Sequence, residues 1–174
     1  MRTPILSLGL MAGFALTGTA NAEVIAASPD HFTLKLEAET ELDPAEVWDR
    51  LIEPSQWWLS DHTYSGEASN LVLDPQAGGL WSETWDEGTV WHGTVLQAHP
   101  DKSLVLSAPF GPLQGRAVTS IWTITLTPAD AGGTVITFDH VTNGSSASDL
   151  ETLAPAVDFV KSEALKSLAR PLDD

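Results

Sequence analysis

Glu83 and His92 lie at either end of Glu83-Thr-Trp-Asp-Glu-Gly-Thr-Val-Trp-His92, followed by Gly93. A carboxylate facing an imidazole is a minimal acid/base pair, since one group orients the ring and the free nitrogen moves a proton. The same stretch carries Trp85 and Trp91, which could instead form the aromatic wall of a pocket. Hairpin register separates the two, because a slip of one residue exchanges the faces of the partner strand. A three-residue loop, Asp86-Glu87-Gly88, puts Gly88 in the left-handed place of a bulged turn. Trp81, Glu83 and Trp85 then share a face with Trp91, Gly93 and Val95, and His92 points outward. A four-residue loop pairs Trp85 with Val90 and sets Glu83 opposite His92. The first register gathers three tryptophans and Val95 on one side and is preferred.

Glu83 is then an ionisable group on an aromatic face. Its default place is the rim, within reach of water or an arginine, because carboxylates are almost never fully buried unpaired. If buried, desolvation raises its pKa and makes it a candidate acid or ligand anchor. The other chemistries find little support. His62, His92, His99 and His140 are scattered without metal-ligand spacing, and the chain has no cysteine. No metal or other cofactor is expected. Ser65-Gly66, Ser107 and Ser120 lack a Gly-x-Ser-x-Gly elbow. The double glycine of Asp74-Pro-Gln-Ala-Gly-Gly79 precedes a strand, with no Lys-Ser/Thr to make a phosphate loop.

Charge narrows the partners. Eight basic residues against 24 acidic ones give a net charge of −16, which repels phosphate backbones and makes a nucleic-acid partner unlikely on physical grounds. Arg2, an apolar run from Ile5 to Leu16 too short to span a bilayer, and Ala20-Asn21-Ala22 form a signal-peptide pattern over residues 1–22. The expectation is export to the periplasm, with residues 23–174 forming one domain.

The elements that must position these residues follow from periodicity. His31 to Glu39 alternates with Phe32, Leu34, Leu36 and Ala38 on one face, a half-buried strand. Asp43, Pro44 and Glu46 mark a helix start with a capping box, and Val47, Trp48, Leu51 and Ile52 form its apolar stripe. Pro54 stops it, and a short turn follows with Trp57 and Trp58. Strands are expected near 71–73, 80–85, 90–98, 103–108, 119–127 and 134–141. A flexible 143–149 segment leads to a final helix over 150–169, with Pro155 marking either a kink or its true start. An antiparallel sheet covered by one amphipathic helix is a two-layer α+β domain.

This order, with Trp57-Trp58, the stretch His62 to Glu83, His92-Gly93, Gly111-Pro-Leu-Gln114, Gly132 to Phe138 and the Asp158-bearing last helix, resembles the START-like (SRPBCC, helix-grip) superfamily. The most similar branch is that of proteins related to activators of the heat-shock chaperone ATPase. The resemblance implies an α+β helix-grip fold, a curved antiparallel sheet wrapped around a long C-terminal helix with two short helices after the first strand. It also implies membership of a group that includes lipid carriers, polyketide cyclases and co-chaperones, so activity has to be argued from the site. The expected function is binding of a small or medium apolar molecule, lipid-like or polyketide-like, between sheet and helix. Trp81, Trp85, Trp91, Trp122 and Phe138 are the candidate walls and Glu83 the polar anchor. Trp57 and Trp58, with residues 143–149, form the entrance. The alternatives are a cofactor-free cyclase or hydratase using Glu83 or His92, and a protein-interaction module using the Trp57-Trp58 surface.

Overall fold

The computed structural model describes residues 21–171, so the signal segment expected at 1–22 lies almost wholly outside the described residues. Eight antiparallel strands form one sheet in the order β1-β2-β8-β7-β6-β5-β4-β3. They are β1 Asn21–Ser28, β2 His31–Thr40, β3 Leu71–Leu73, β4 Leu80–Trp85, β5 Gly88–His99, β6 Ser103–Ser107, β7 Thr119–Pro128 and β8 Thr134–Asn143. Helix α1 spans Pro44–Leu51, and α2 spans Leu150–Leu168. The helix-grip α+β fold is present, with α2 packed against β1, β2 and β8.

Local chemistry explains the elements that sequence pattern located. Asp43 accepts hydrogen bonds from the backbone N–H groups of Ala45 and Glu46, while Glu46 accepts from the Asp43 N–H at 2.8 Å. The box satisfies donors that a helix start leaves free. Strands β7 and β8 bury every second residue, including Trp122, Ile124, Ile136 and Phe138, which builds the floor of the core.

Three expectations are corrected. Strand β1 went unread, because Val24 and Ile25 are its large apolar side chains and both remain exposed; it begins two residues before the expected cleavage point. Of the two readings of Pro155, a start there does not hold, because α2 begins at Leu150 and carries Pro155 in its interior. In place of a second short helix, single 3₁₀ turns occupy Pro54–Gln56, Ser60–His62 and Ala68–Asn70.

The hairpin at Glu83 has neither expected register throughout. Trp85 pairs with Gly88 across a two-residue loop, and Glu83 pairs with Val90. Gly88 is not left-handed. It lies beneath the Trp85 indole, where a Cβ would sit 3.1 Å from the ring. One step further the register shifts, with Ser82 opposite Trp91 but Trp81 opposite Gly93. His92 is therefore the extra residue of a β-bulge, a device that turns a side chain away from strict alternation. Both His92 and Gly93 face inward. Gly93 fits because β6 comes close there, and a Cβ would lie 2.8 Å from the Ala108 Cβ.

Candidate functional site

The bulge brings together the two residues that the preferred register had separated. His92 Nε2 lies 2.9 Å from Glu83 Oε2, and both side chains are buried. Glu83 is fully buried, not at the rim, because it does not stand alone there. The backbone N–H of Tyr64 donates to it at 3.1 Å, and that of Ser65 at 2.5 Å. Burial pushes its pKa up, but the hydrogen bonds from Ser65, Tyr64 and His92 outweigh that and leave it below the usual carboxylate value. Glu83 is thus an ionised pin that ties the 60–65 loop to β4 and orients the imidazole. For His92, burial pushes the pKa down and the Glu83 bond and charge pull it up, with a net lowering. The ring is neutral near pH 7.

Most of the expected walls turn out to be packing. Trp81 and Trp122 stack at 5.9 Å, Trp57 meets the Trp81 edge at 5.7 Å, and Phe138 meets Trp122 at 4.9 Å. These four rings are at most 1 % exposed. Aromatic rings at such offsets fill the space between sheet and loops. Trp91 is 41 % exposed and donates to Thr94 on the outer face. Trp85 covers the hairpin turn. Trp58 is buried, with its Nε1 donating to the His62 carbonyl at 3.1 Å. With Trp57 and Trp58 both inside, the interaction surface expected of them is not a surface.

A cavity of about 130 Å³ does exist, displaced from the expected one toward the 58–64 loop. Trp58, His92 and Phe110 form its sheet-side wall, and Val157, Val160 and Lys161 of α2 form the other. His62, Tyr64 and Gly111-Pro112 surround its mouth, in place of residues 143–149. Phe110 stacks on His92 at 5.4 Å and on Trp58 at 5.3 Å.

Lys161 is the residue that sequence reasoning missed. It is 1 % exposed, and its Nζ has no hydrogen-bond partner among the described residues. Nζ sits 2.8 Å above the Trp122 ring centre and 4.8 Å from that of Phe110. Cation–π attraction of about 2 kcal/mol is smaller than the cost of an isolated buried ammonium. Burial accordingly pushes Lys161 well below the usual lysine range. His140, behind it on β8, is also held well below the usual histidine value, by burial first and then by Lys161. The His140 ring meets Ser120 and Thr142 in a closed polar cluster away from the cavity. Leu150, Leu153, Val157, Val160, Ala164 and Leu168 lie at helical spacing along α2 without Lys161, so a periodicity count passes over it. Among the described residues no group of three or more His, Cys, Asp or Glu side chains could hold a metal ion.

The profile of the family described as "Activator of Hsp90 ATPase homolog 1-like protein" matches residues 41–172, most of the chain. The chain belongs to this family. Solved structures agree on the fold. A protein from Rhodobacter sphaeroides is 21 % identical with a TM-score of 0.59, over 86 % of this chain and 95 % of that one. A protein from Mesorhizobium loti is 22 % identical with a TM-score of 0.55, over 78 % and 95 %. A conserved protein of unknown function from Enterococcus faecalis gives 12 % and 0.57, over 91 % and 81 %. No curated protein matches the chain. At these identities the likeness establishes the SRPBCC-type helix-grip fold, and membership of the family fits a ligand-binding or interaction module. No described helix is long and apolar enough to cross a membrane.

Proposed function

We propose that the protein is an exported carrier or sensor that holds a small apolar molecule in the cavity between Phe110 and α2. The observation that carries this reading is the cavity itself: apolar walls around two buried polar side chains, His92 and Lys161, each with a nitrogen lacking a partner among the described residues. Ligand sites combine an apolar lining with a few placed polar groups in this way. At about 130 Å³ the space suits one ring or a short chain, since a cavity of about 150 Å³ accepts benzene. A whole lipid does not fit, so the ligand is small.

Benzyl alcohol is a suitable probe. It is expected to raise the Tm saturably, and Val160→Phe, which fills the cavity from α2, is expected to remove the shift while the variant stays folded. Absence of a saturable shift in the native protein would sink the reading. Native mass spectrometry of protein purified from its own host then looks for a retained molecule.

A second reading draws on the 2.9 Å bond between His92 and Glu83. A neutral imidazole oriented by a carboxylate, with Nδ1 unpartnered, is the arrangement of a general base. Glu83 itself is bonded on all sides and serves only to orient. Export is part of the proposal, and protein recovered from the cell envelope is expected to begin at Glu23. N-terminal sequencing that reads Met1 from cytosolic protein would remove it.

A further inference from the structure

The chain has four lysines, of which Lys35, Lys102 and Lys166 are exposed and Lys161 alone is buried. A Met or Leu at 161 would fill the same space with no polar atom to desolvate. A lysine kept for structure would be expected to bond a carboxylate or carbonyl, and the Nζ of Lys161 bonds neither among the described residues. Nζ instead lies against the indole of Trp122, a contact weak enough for a bound molecule to replace. Lys161 lines the cavity, and its flexible four-carbon chain lets Nζ reach into that space. A desolvated amine beside a water-poor apolar space is the arrangement that makes a lysine nucleophilic toward carbonyl groups.

We infer that Lys161 is a carbonyl-capturing amine, which holds a small apolar aldehyde in the cavity as an imine on Nζ. The inference rests on the reading of this cavity as a small-molecule site. The Nζ lone pair attacks the carbonyl carbon, and the C=O π pair moves to oxygen. One proton passes from nitrogen to that oxygen, giving a carbinolamine. The hydroxyl group then leaves with a second proton as water while nitrogen forms the C=N bond. One amine and one aldehyde give one imine and one water, with no change of oxidation state.

His92 is placed to carry the protons. Its ring lines the same cavity, its Nε2 is held by Glu83, and its Nδ1 is unpartnered among the described residues. His140 is engaged with Ser120 behind the Trp122 layer, and Asp158, one turn earlier on α2, does not line the cavity. His62 and Tyr64 also line it, but neither is held by a buried carboxylate as His92 is by Glu83. An aldehyde is favoured over a carboxylate because a neutral carbonyl enters an apolar space at a much smaller desolvation cost than an anion.

The test treats the native protein with benzaldehyde and sodium cyanoborohydride near pH 7, then maps the benzylated lysines by peptide mass spectrometry. A desolvated amine is the better nucleophile toward a carbonyl, so Lys161 is expected to be labelled on the order of tenfold faster than the exposed Lys35, Lys102 or Lys166. Benzyl alcohol, which has no carbonyl, is expected to slow labelling at Lys161 only. Lys161→Met is expected to lose the fast site while labelling at Lys35, Lys102 and Lys166 stays as in the native protein. Labelling that spares Lys161 overturns the inference. If benzyl alcohol still shifts the Tm in that case, the binding site stands without the amine chemistry; if it does not, both readings fall together.

Discussion

His92 Nε2 meets Glu83 Oε2 at 2.9 Å although neither residue lies directly opposite the other across the hairpin. Glu83 pairs with Val90, and His92 follows two residues later on the same face, so the contact is diagonal. The bulge then resets the register before Gly93. The pair therefore depends on an irregular strand, and it links the 60–65 loop, β4 and β5 at one buried carboxylate.

Glu83→Gln should loosen that junction. The amide keeps one acceptor but turns an NH₂ toward N–H groups that need an acceptor. Loss of charged hydrogen bonds of this kind costs about 1–3 kcal/mol, read as a lower urea midpoint. In a double-mutant cycle with His92→Ala, a coupling above about 0.5 kcal/mol is expected. Additive effects would mean that the 2.9 Å contact contributes nothing in solution.

Why the sequence led to the fold more readily than to this contact is a matter of which signals are periodic. Alternation located β2 to β8, and the Asp43–Glu46 box located α1, because each repeats or has fixed spacing. The bulge at His92 has no such signature. Gly88 looked like a left-handed turn residue, yet its lack of a side chain serves the Trp85 ring above it. Lys161 carries no signal of its own, because the apolar spacing of α2 is complete without it. What a single buried amine touches depends on Trp122 and Phe110, which arrive from elements far away in sequence.

The aromatic residues give a second contrast. Trp81 is fully buried against Trp57, Trp58 and Trp122, whereas Trp91 lies on the outer face. Trp81→Ala is expected to cost about 3–5 kcal/mol, as core aromatic truncations do. Trp91→Ala should stay within about 1 kcal/mol, as surface changes mostly do. Chemical denaturation of both variants checks this, and equal losses would restore the register in which all three hairpin tryptophans face inward.

Stability should rise with pH, and the signs can be worked through group by group. Burial holds Lys161 in the folded protein well below the usual lysine value of 10.5. Between those values the unfolded chain binds a proton that the folded chain does not, so raising the pH toward 10.5 favours folding. His92, lowered from 6.5, and Glu83, lowered from 4.5, act in the same direction in their own, more acidic windows. His140 adds to the loss on acidification, since burial holds it well below 6.5. Asp158 opposes them, because burial raises its pKa and its ionisation above 3.8 disfavours the fold. Lys161→Met isolates the alkaline part. The variant should be more stable than the native chain at pH 7, since the buried amine costs desolvation that a thioether does not. That advantage should shrink as pH approaches 10.5, by at most about 1.4 kcal/mol per pH unit. Urea unfolding of both proteins from pH 6 to about 10.5 reads the difference directly. A gap that stays constant across the range would mean that Lys161 keeps its proton in the folded protein, as an ammonium over Trp122.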